Sequence, residues 1–439
     1  MRALLLACSV LLGGCWNWSF PEELLKEDSR PPEARVDTTG DVSHDTEPPD
    51  DGPRPEGLPD ATPDLTFDTV PQCDPACVPT STTPICEGGT CRGCQTNGEC
   101  QGISTGELCA ADGSCPAQSS IAYVDKAAGN CSASHGSKAT PYCTIKEALV
   151  TTKKYVLVRP GSYIDDLTFD DVIFEVYGEP GATIDLAACE KLAVKGTSNL
   201  RLQGLQIKSS PTAKDTSKAM ILLSETAKLT VAQSQIGPSG CIGIKSAAGN
   251  TVTLQRNLVL KNPGGGMDLD GTYQVENNII VQNSETSVNY GGAKLDPASV
   301  ATSAFINNTV ADNSCKGSND SEACGVRCEA DKTKLVNNIF WGNTFNSTGD
   351  TQTDRQYSTK CTADFSFEEL KPGATPTKSN ITFSAPGFVG PTPSTSADAY
   401  HITPASKAAG KGSPTGAPDD DYDGQPRDPN NPDIGADEL

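Results

Sequence analysis

The sequence predicts an all-β solenoid of short stacked strands, and three observations predict it. Four stretches share one pattern: an apolar residue, two spacers, Asn, an apolar or β-branched pair, and a second Asn five residues after the first. They are Leu254-Gln-Arg-Asn257-Leu-Val-Leu-Lys-Asn262, Val275-Glu-Asn-Asn278-Ile-Ile-Val-Gln-Asn283, Phe305-Ile-Asn-Asn308-Thr-Val-Ala-Asp-Asn313 and Leu335-Val-Asn-Asn338-Ile-Phe-Trp-Gly-Asn343. The steps between the first Asn residues are 21, 30 and 30 residues. A period of that size belongs to a solenoid, whose units bury their apolar faces only by stacking on one another. Inside each unit the residues alternate and are rich in Val, Ile and Thr, as in Thr251-Val-Thr-Leu-Gln, which is strand periodicity.

Within that frame Asn257, Asn278, Asn308 and Asn338 read as structural. Asn is tolerated at left-handed bends between strands. Stacked coil upon coil, identical Asn side chains also hydrogen-bond into a ladder. Two degenerate copies, around Leu202 to Ile207 and Val231 to Ile236, extend the repeat towards the N-terminus.

The elements follow in chain order. Residues 1–14 have a basic start, an apolar run and small residues at the end, and read as a signal peptide too short to span a membrane. Leu12-Gly13-Gly14-Cys15 resembles a bacterial lipobox, which implies lipidation of Cys15, membrane attachment through that lipid, and export. The next residue is Trp16, not the Asp that resembles an inner-membrane retention signal, so the resemblance implies an outer-membrane or cell-surface address. Residues 15–72 continue as an acidic, Pro-rich stretch that cannot bury enough surface to fold and reads as a disordered spacer.

Residues 73–118 form a Cys-rich module containing Cys73, Cys77, Cys86, Cys91, Cys94, Cys100, Cys109 and Cys115. Export favours disulfides. A zinc site is the rival reading, because Cys91-Arg-Gly-Cys94 has ligand spacing, but the module holds no His. Eight further cysteines follow, and Cys131 with Cys143 is the expected pair before the first coil.

Thr144 and Glu147 form a Thr-x-x-Glu capping box that opens a short amphipathic helix, expected to plug the first coil. Tyr155-Val-Leu-Val then reads as the first strand. With Tyr123-Val-Asp125 and the Asn repeats, these residues resemble the right-handed parallel β-helix superfamily that includes pectate lyase-like proteins. The resemblance implies a right-handed parallel β-helix over 119–390. Tyr400-His-Ile-Thr-Pro404, Tyr422-Asp-Gly-Gln-Pro-Arg427 and Pro432-Asp-Ile-Gly-Ala-Asp-Glu438 resemble the C-terminal module of bacterial surface β-helix proteins of the choice-of-anchor type, which implies a cap or anchor module over 391–439.

Composition narrows the function. A net charge of -22 repels phosphate backbones, so no nucleic-acid partner is expected. Acidic polysaccharides meet the same objection unless a local basic cleft overrides it. An aromatic content of 5% provides little sugar-stacking surface.

Candidate chemistry sits on the coils. Asp268 and Asp270 share one face of a strand, as paired carboxylates in a glycosidase would. Lys294, Asp296, Arg327 and Arg355 lie in or near the inserts of later coils, and the competing reading of all these charges is a solvated coil surface. The three His residues are His44, His135 and His401, and none lies in a Gly-His-Gly or Trp-Ile-Asp-His pattern of the enzymes of this superfamily. Trp341, inside a repeat, reads as packing. Asp419, Asp421 and Asp423, followed by Gly424, have calcium-loop spacing, although the twelfth position is Asn430 rather than an acid, and a metal-free turn is the alternative. The expected role is a non-catalytic surface structural or glycan-binding protein, with a polysaccharide lyase or glycoside hydrolase as the alternative.

Overall fold

The computed structural model describes residues 77–78, 81–101, 106–212, 214–284, 288–316, 323–331, 333–345, 356–369, 380–383 and 385–439. The lipobox Cys15, the spacer, Cys73 and Arg355 lie outside the described residues.

The chain winds as a parallel β-solenoid with three strand ladders, which we call sheets I, II and III. Sheet I begins at Ile121–Val124 and Tyr155–Val158 and runs through Asn199–Gln203 and Thr251–Gln255 to Cys361–Asp364. The first strand is thus one coil earlier than Tyr155, because Ile121–Val124 pairs with it in parallel register. Sheet II has ten strands, from Gly161–Ile164 through Leu258–Leu260 and Ile279–Val281 to Ile381–Phe383. Sheet III runs from Leu167–Asp170 through Ile242–Lys245, the start of Met267–Glu276 and Ala293–Pro297 to Val326–Cys328. The pairings between successive coils are parallel, so each coil registers side chain over side chain.

That register explains the interior. Val176, Leu202, Val231, Leu254 and Val275 stack inward from sheet I, while Ile184, Ile207, Val259, Ile280 and Phe340 do so from sheet II. Each fully buried aliphatic side chain contributes about 1.5–3 kcal/mol of transfer free energy. The capping helix is Ile145–Ala148. Thr144 Oγ1 accepts from Glu147 N at 3.2 Å and Glu147 Oε2 accepts from Thr144 N at 3.0 Å. Ile145 and Ala148 are buried against Val124, Val156 and Tyr163 of the first coil.

At the bend between sheets I and II the Asn side chains form a continuous buried ladder. Asn257 Nδ2 donates to Asn278 Oδ1 at 3.0 Å, Asn278 Nδ2 to Asn308 Oδ1 at 3.0 Å, and Asn308 Nδ2 to Asn338 Oδ1 at 3.1 Å. Ser234 and Ser366 continue it at the two ends, since Ser234 N donates to Asn257 Oδ1 and Asn338 N donates to Ser366 Oγ. A second ladder runs through Asn262, Asn283, Asn313 and Asn343 and finishes on Gln356 Oε1. The left-handed backbone lies one residue earlier than expected, at Arg256, Asn277, Asn307 and Asn337, with φ of 57°, 54°, 52° and 55°. The residue before each ladder Asn makes the bend, and the ladder Asn turns inward to satisfy buried backbone groups.

Seven disulfides join described cysteines: Cys77–Cys91, Cys94–Cys109, Cys100–Cys115, Cys131–Cys143, Cys189–Cys241, Cys315–Cys324 and Cys328–Cys361. Cys86 is also disulfide-bonded. Cys91 and Cys94 go to different partners, so the zinc alternative loses its thiolates. Disulfides at this density fit an extracellular, oxidising environment. Among the described residues no helix is long and apolar enough to cross a membrane.

Residues 385–439, which include the stretch 391–439 expected as a cap or anchor module, lie along the outer flank of sheet II, where Ala399, Tyr400 and Ala436 cover Leu258, Leu260, Ile279 and Val281, and Ile402, Ala408 and Ile434 cover Ile339 and Phe367. The reason is the two-faced apolarity of sheet II: in Ile279–Val281 all three residues are buried, the middle one inward and its neighbours outward.

Candidate functional site

The strand Met267–Glu276 carries the candidate chemistry. Met267 and Leu269 enter the core, so alternation sends Asp268 and Asp270 to the outer face of sheet III. Gly271 ends this face with φ of +99°, and a Cβ there would lie 2.6 Å from the Asn250 carbonyl oxygen.

The parallel register brings charges from neighbouring coils into rows. Lys245, Asp268, Lys294 and Arg327 are successive partners across sheet III. Asp270 pairs in register with Asp296 beside them. Asp268 is 5% exposed because two lysines cover it: Lys294 Nζ is 2.9 Å from Oδ1 and Lys245 Nζ is 3.2 Å from Oδ2. Burial of Lys294 opposes its charge, but the hydrogen bond to Asp268 prevails and holds the ammonium above its ordinary pKa. Arg327 pairs with Glu329 at 2.8 Å.

Asp270 is different. Burial pushes its carboxyl up against the opposing attraction of Lys294, and Asp268 and Asp296 add to the rise. Its Oδ1 is buried and has no hydrogen-bond partner among the described residues. The same holds for the Tyr290 hydroxyl and Arg327 Nε. Burial raises the Tyr290 phenol, and Asp268 adds to that rise, while Arg327 opposes it. The expected sharing of one face by Asp268 and Asp270 is present. Lys245 and Tyr290 were not singled out from the sequence. Lys245 was legible in principle, since it precedes Asp268 by about one coil, but Tyr290 sits in an insert with no repeat pattern to place it.

The candidate calcium loop folds as a turn around Asp421. Asp421 is buried, and its Oδ1 accepts from Asp423 N at 3.0 Å and Gln425 N at 2.7 Å while Oδ2 accepts from Glu438 N at 3.1 Å. Its oxygens are thus engaged in folding the turn. Asp419 is exposed, and among the described residues Asp419, Asp421 and Asp423 do not gather into one ligand set. Arg427 is the centre of this region. Its guanidinium donates to Asn277 Oδ1 at 2.9 Å, to the Gly435 and Ala436 carbonyls at 3.0 and 2.9 Å, and to Glu438 Oε2 at 2.9 Å.

No family model and no curated protein matches the chain. Solved structures do. A pectate lyase matches at 14% identity and a TM-score of 0.39, covering 72% of this chain and 96% of its own. A pectin methylesterase in complex with a hexasaccharide matches at 13% identity and a TM-score of 0.38, covering 60% of this chain and 92% of its own. A pectin methylesterase from Erwinia chrysanthemi matches at 12% identity and a TM-score of 0.31, with the same coverages of 60% and 92%. At such identities and scores no activity carries over to this chain.

Proposed function

We propose that this is an exported, lipid-anchored β-helix protein with a non-catalytic surface role, presenting the charged face of sheet III to a glycan or another polar partner. The observation that carries this reading is the state of Asp268. A catalytic carboxylate pair needs oxygens free to meet substrate, whereas both Asp268 oxygens are held by Lys245 and Lys294. Adjacent coils are about 4.8 Å apart, so the row Lys245, Asp268, Lys294, Arg327 offers regularly spaced charged groups along the axis. Cys15 is the proposed site of lipid attachment. Binding to a panel of neutral and acidic polysaccharides tests the reading. Binding by the wild type that is lost in Lys245→Ala and Lys294→Ala supports it; retention of all binding in the double variant removes sheet III from the role.

One set of groups favours the second reading, a polysaccharide lyase or glycoside hydrolase. Asp270 beside Asp296 has a carboxyl raised by burial, and Tyr290 and Arg327 each bring an unpartnered polar atom to the same face. A raised carboxyl of this kind can donate a proton to a leaving group.

A further inference from the structure

The geometry points to a divalent transition-metal site formed by His401, Asp423 and Asp437, clipping together three stretches of the C-terminal segment. His401 Nδ1 lies 3.6 Å from Asp423 Oδ2 and 3.6 Å from Asp437 Oδ1. These separations are long for hydrogen bonds. They match the edge of a tetrahedral coordination shell, roughly 3.3–3.6 Å for metal–ligand bonds of about 2.0–2.2 Å. All three donor atoms lie within 4.8 Å of one another.

The imidazole presents Nδ1 to both carboxylates at separations too long for a hydrogen bond, and among the described residues Nδ1 has no other hydrogen-bond partner. A cation between Nδ1 and the two carboxylates satisfies these three donors at once.

The surroundings fix two ligands and leave the third open. Asp437 Oδ2 accepts from Ile402 N at 2.8 Å, which turns Oδ1 towards His401. The Tyr422 ring packs edge-on against the imidazole at 5.9 Å between centroids. Asp423, with 41% of its side chain exposed, provides access from solvent and leaves room for water ligands. One nitrogen and two carboxylate oxygens suit Zn²⁺ or a similar divalent ion better than calcium, which takes six to eight oxygens. Two carboxylates and a neutral imidazole also balance a charge of two. The three ligands come from separate turns of residues 385–439, so an ion here closes loops in the segment that covers sheet II.

The test uses the full-length protein without a histidine tag. Equilibrium dialysis should give one Zn²⁺ per chain, Co²⁺ should give visible d–d bands, and EDTA should lower the melting temperature reversibly. His401→Gln, Asp437→Asn and Asp423→Asn should each weaken Zn²⁺ binding at least tenfold, while His135→Gln should leave it unchanged. Asp423→Asn guards against loss of fold, because its side chain is the most exposed of the three, and its melting temperature without metal should equal that of the metal-free wild type. Absence of Zn²⁺ binding and of Co²⁺ bands in the wild type overturns the site. Zn²⁺ binding that persists undiminished in all three variants overturns it as well.

Discussion

At the scale of single residues, the buried Asn ladder shows how much one side chain can hold. Asn308 Nδ2 donates to Asn338 Oδ1, the Val275 carbonyl and the Ile306 carbonyl, and its Oδ1 accepts from the backbone and side chain of Asn278. Asn308→Leu leaves several of these groups buried without partners, each at about 1–3 kcal/mol. A large fall in melting temperature is expected, and an unchanged one would mean the ladder does not hold the coils. Arg427→Met should also be severe, about 3–5 kcal/mol, because Glu438 then stays buried without its cation. Asp270 gives a prediction of opposite sign. Its folded carboxyl is raised above the unfolded value, so ionising it costs stability as pH climbs through the folded value. Asp270→Asn should therefore stabilise the protein at pH 7, and the gain should vanish once pH falls below about 3.9, where both states of Asp270 are protonated. Melting curves across pH read this directly.

At the scale of elements, the repeats were legible and their cover was not. The Asn spacing and the strand alternation located the coils, because each Asn side chain must meet its copy in the next coil. The second ladder was also written in the pattern, as the Asn five residues on, yet its end at Gln356 follows no repeat. The cover that 385–439 provides was not legible, because apolar runs such as Leu258–Leu260 and Ile279–Val281 do not announce in sequence what packs on their outer face. A strand with three consecutive buried residues is covered on both faces. Deleting 385–439 should expose Leu258, Leu260, Ile279 and Val281 as a continuous stripe and produce dye binding and aggregation. A monodisperse truncated protein with wild-type stability would show that the cover is dispensable.

At the scale of the whole molecule, the scaffold explains nearly every conspicuous residue, and that is why its function was hard to read. Charged residues on a coil surface look alike in sequence whether they solvate the coil, bind a ligand or catalyse. Only register showed that Asp268 is neutralised by Lys245 and Lys294 while Asp270 is left with an unpartnered oxygen. Attachment is a separate matter. Cys15→Ser should shift the protein from the membrane fraction to the soluble fraction or leave it unprocessed, as fractionation and lipid labelling would show.

The central claim, a surface role without turnover, is tested most directly by incubating the purified protein with pectic and uronic polysaccharides. Unsaturated products are followed by ultraviolet absorbance and new reducing ends by a colorimetric assay. The account predicts that neither appears above the level of a heat-denatured control. Product formation that is abolished by Asp270→Asn would contradict it and make the outer face of sheet III an active site.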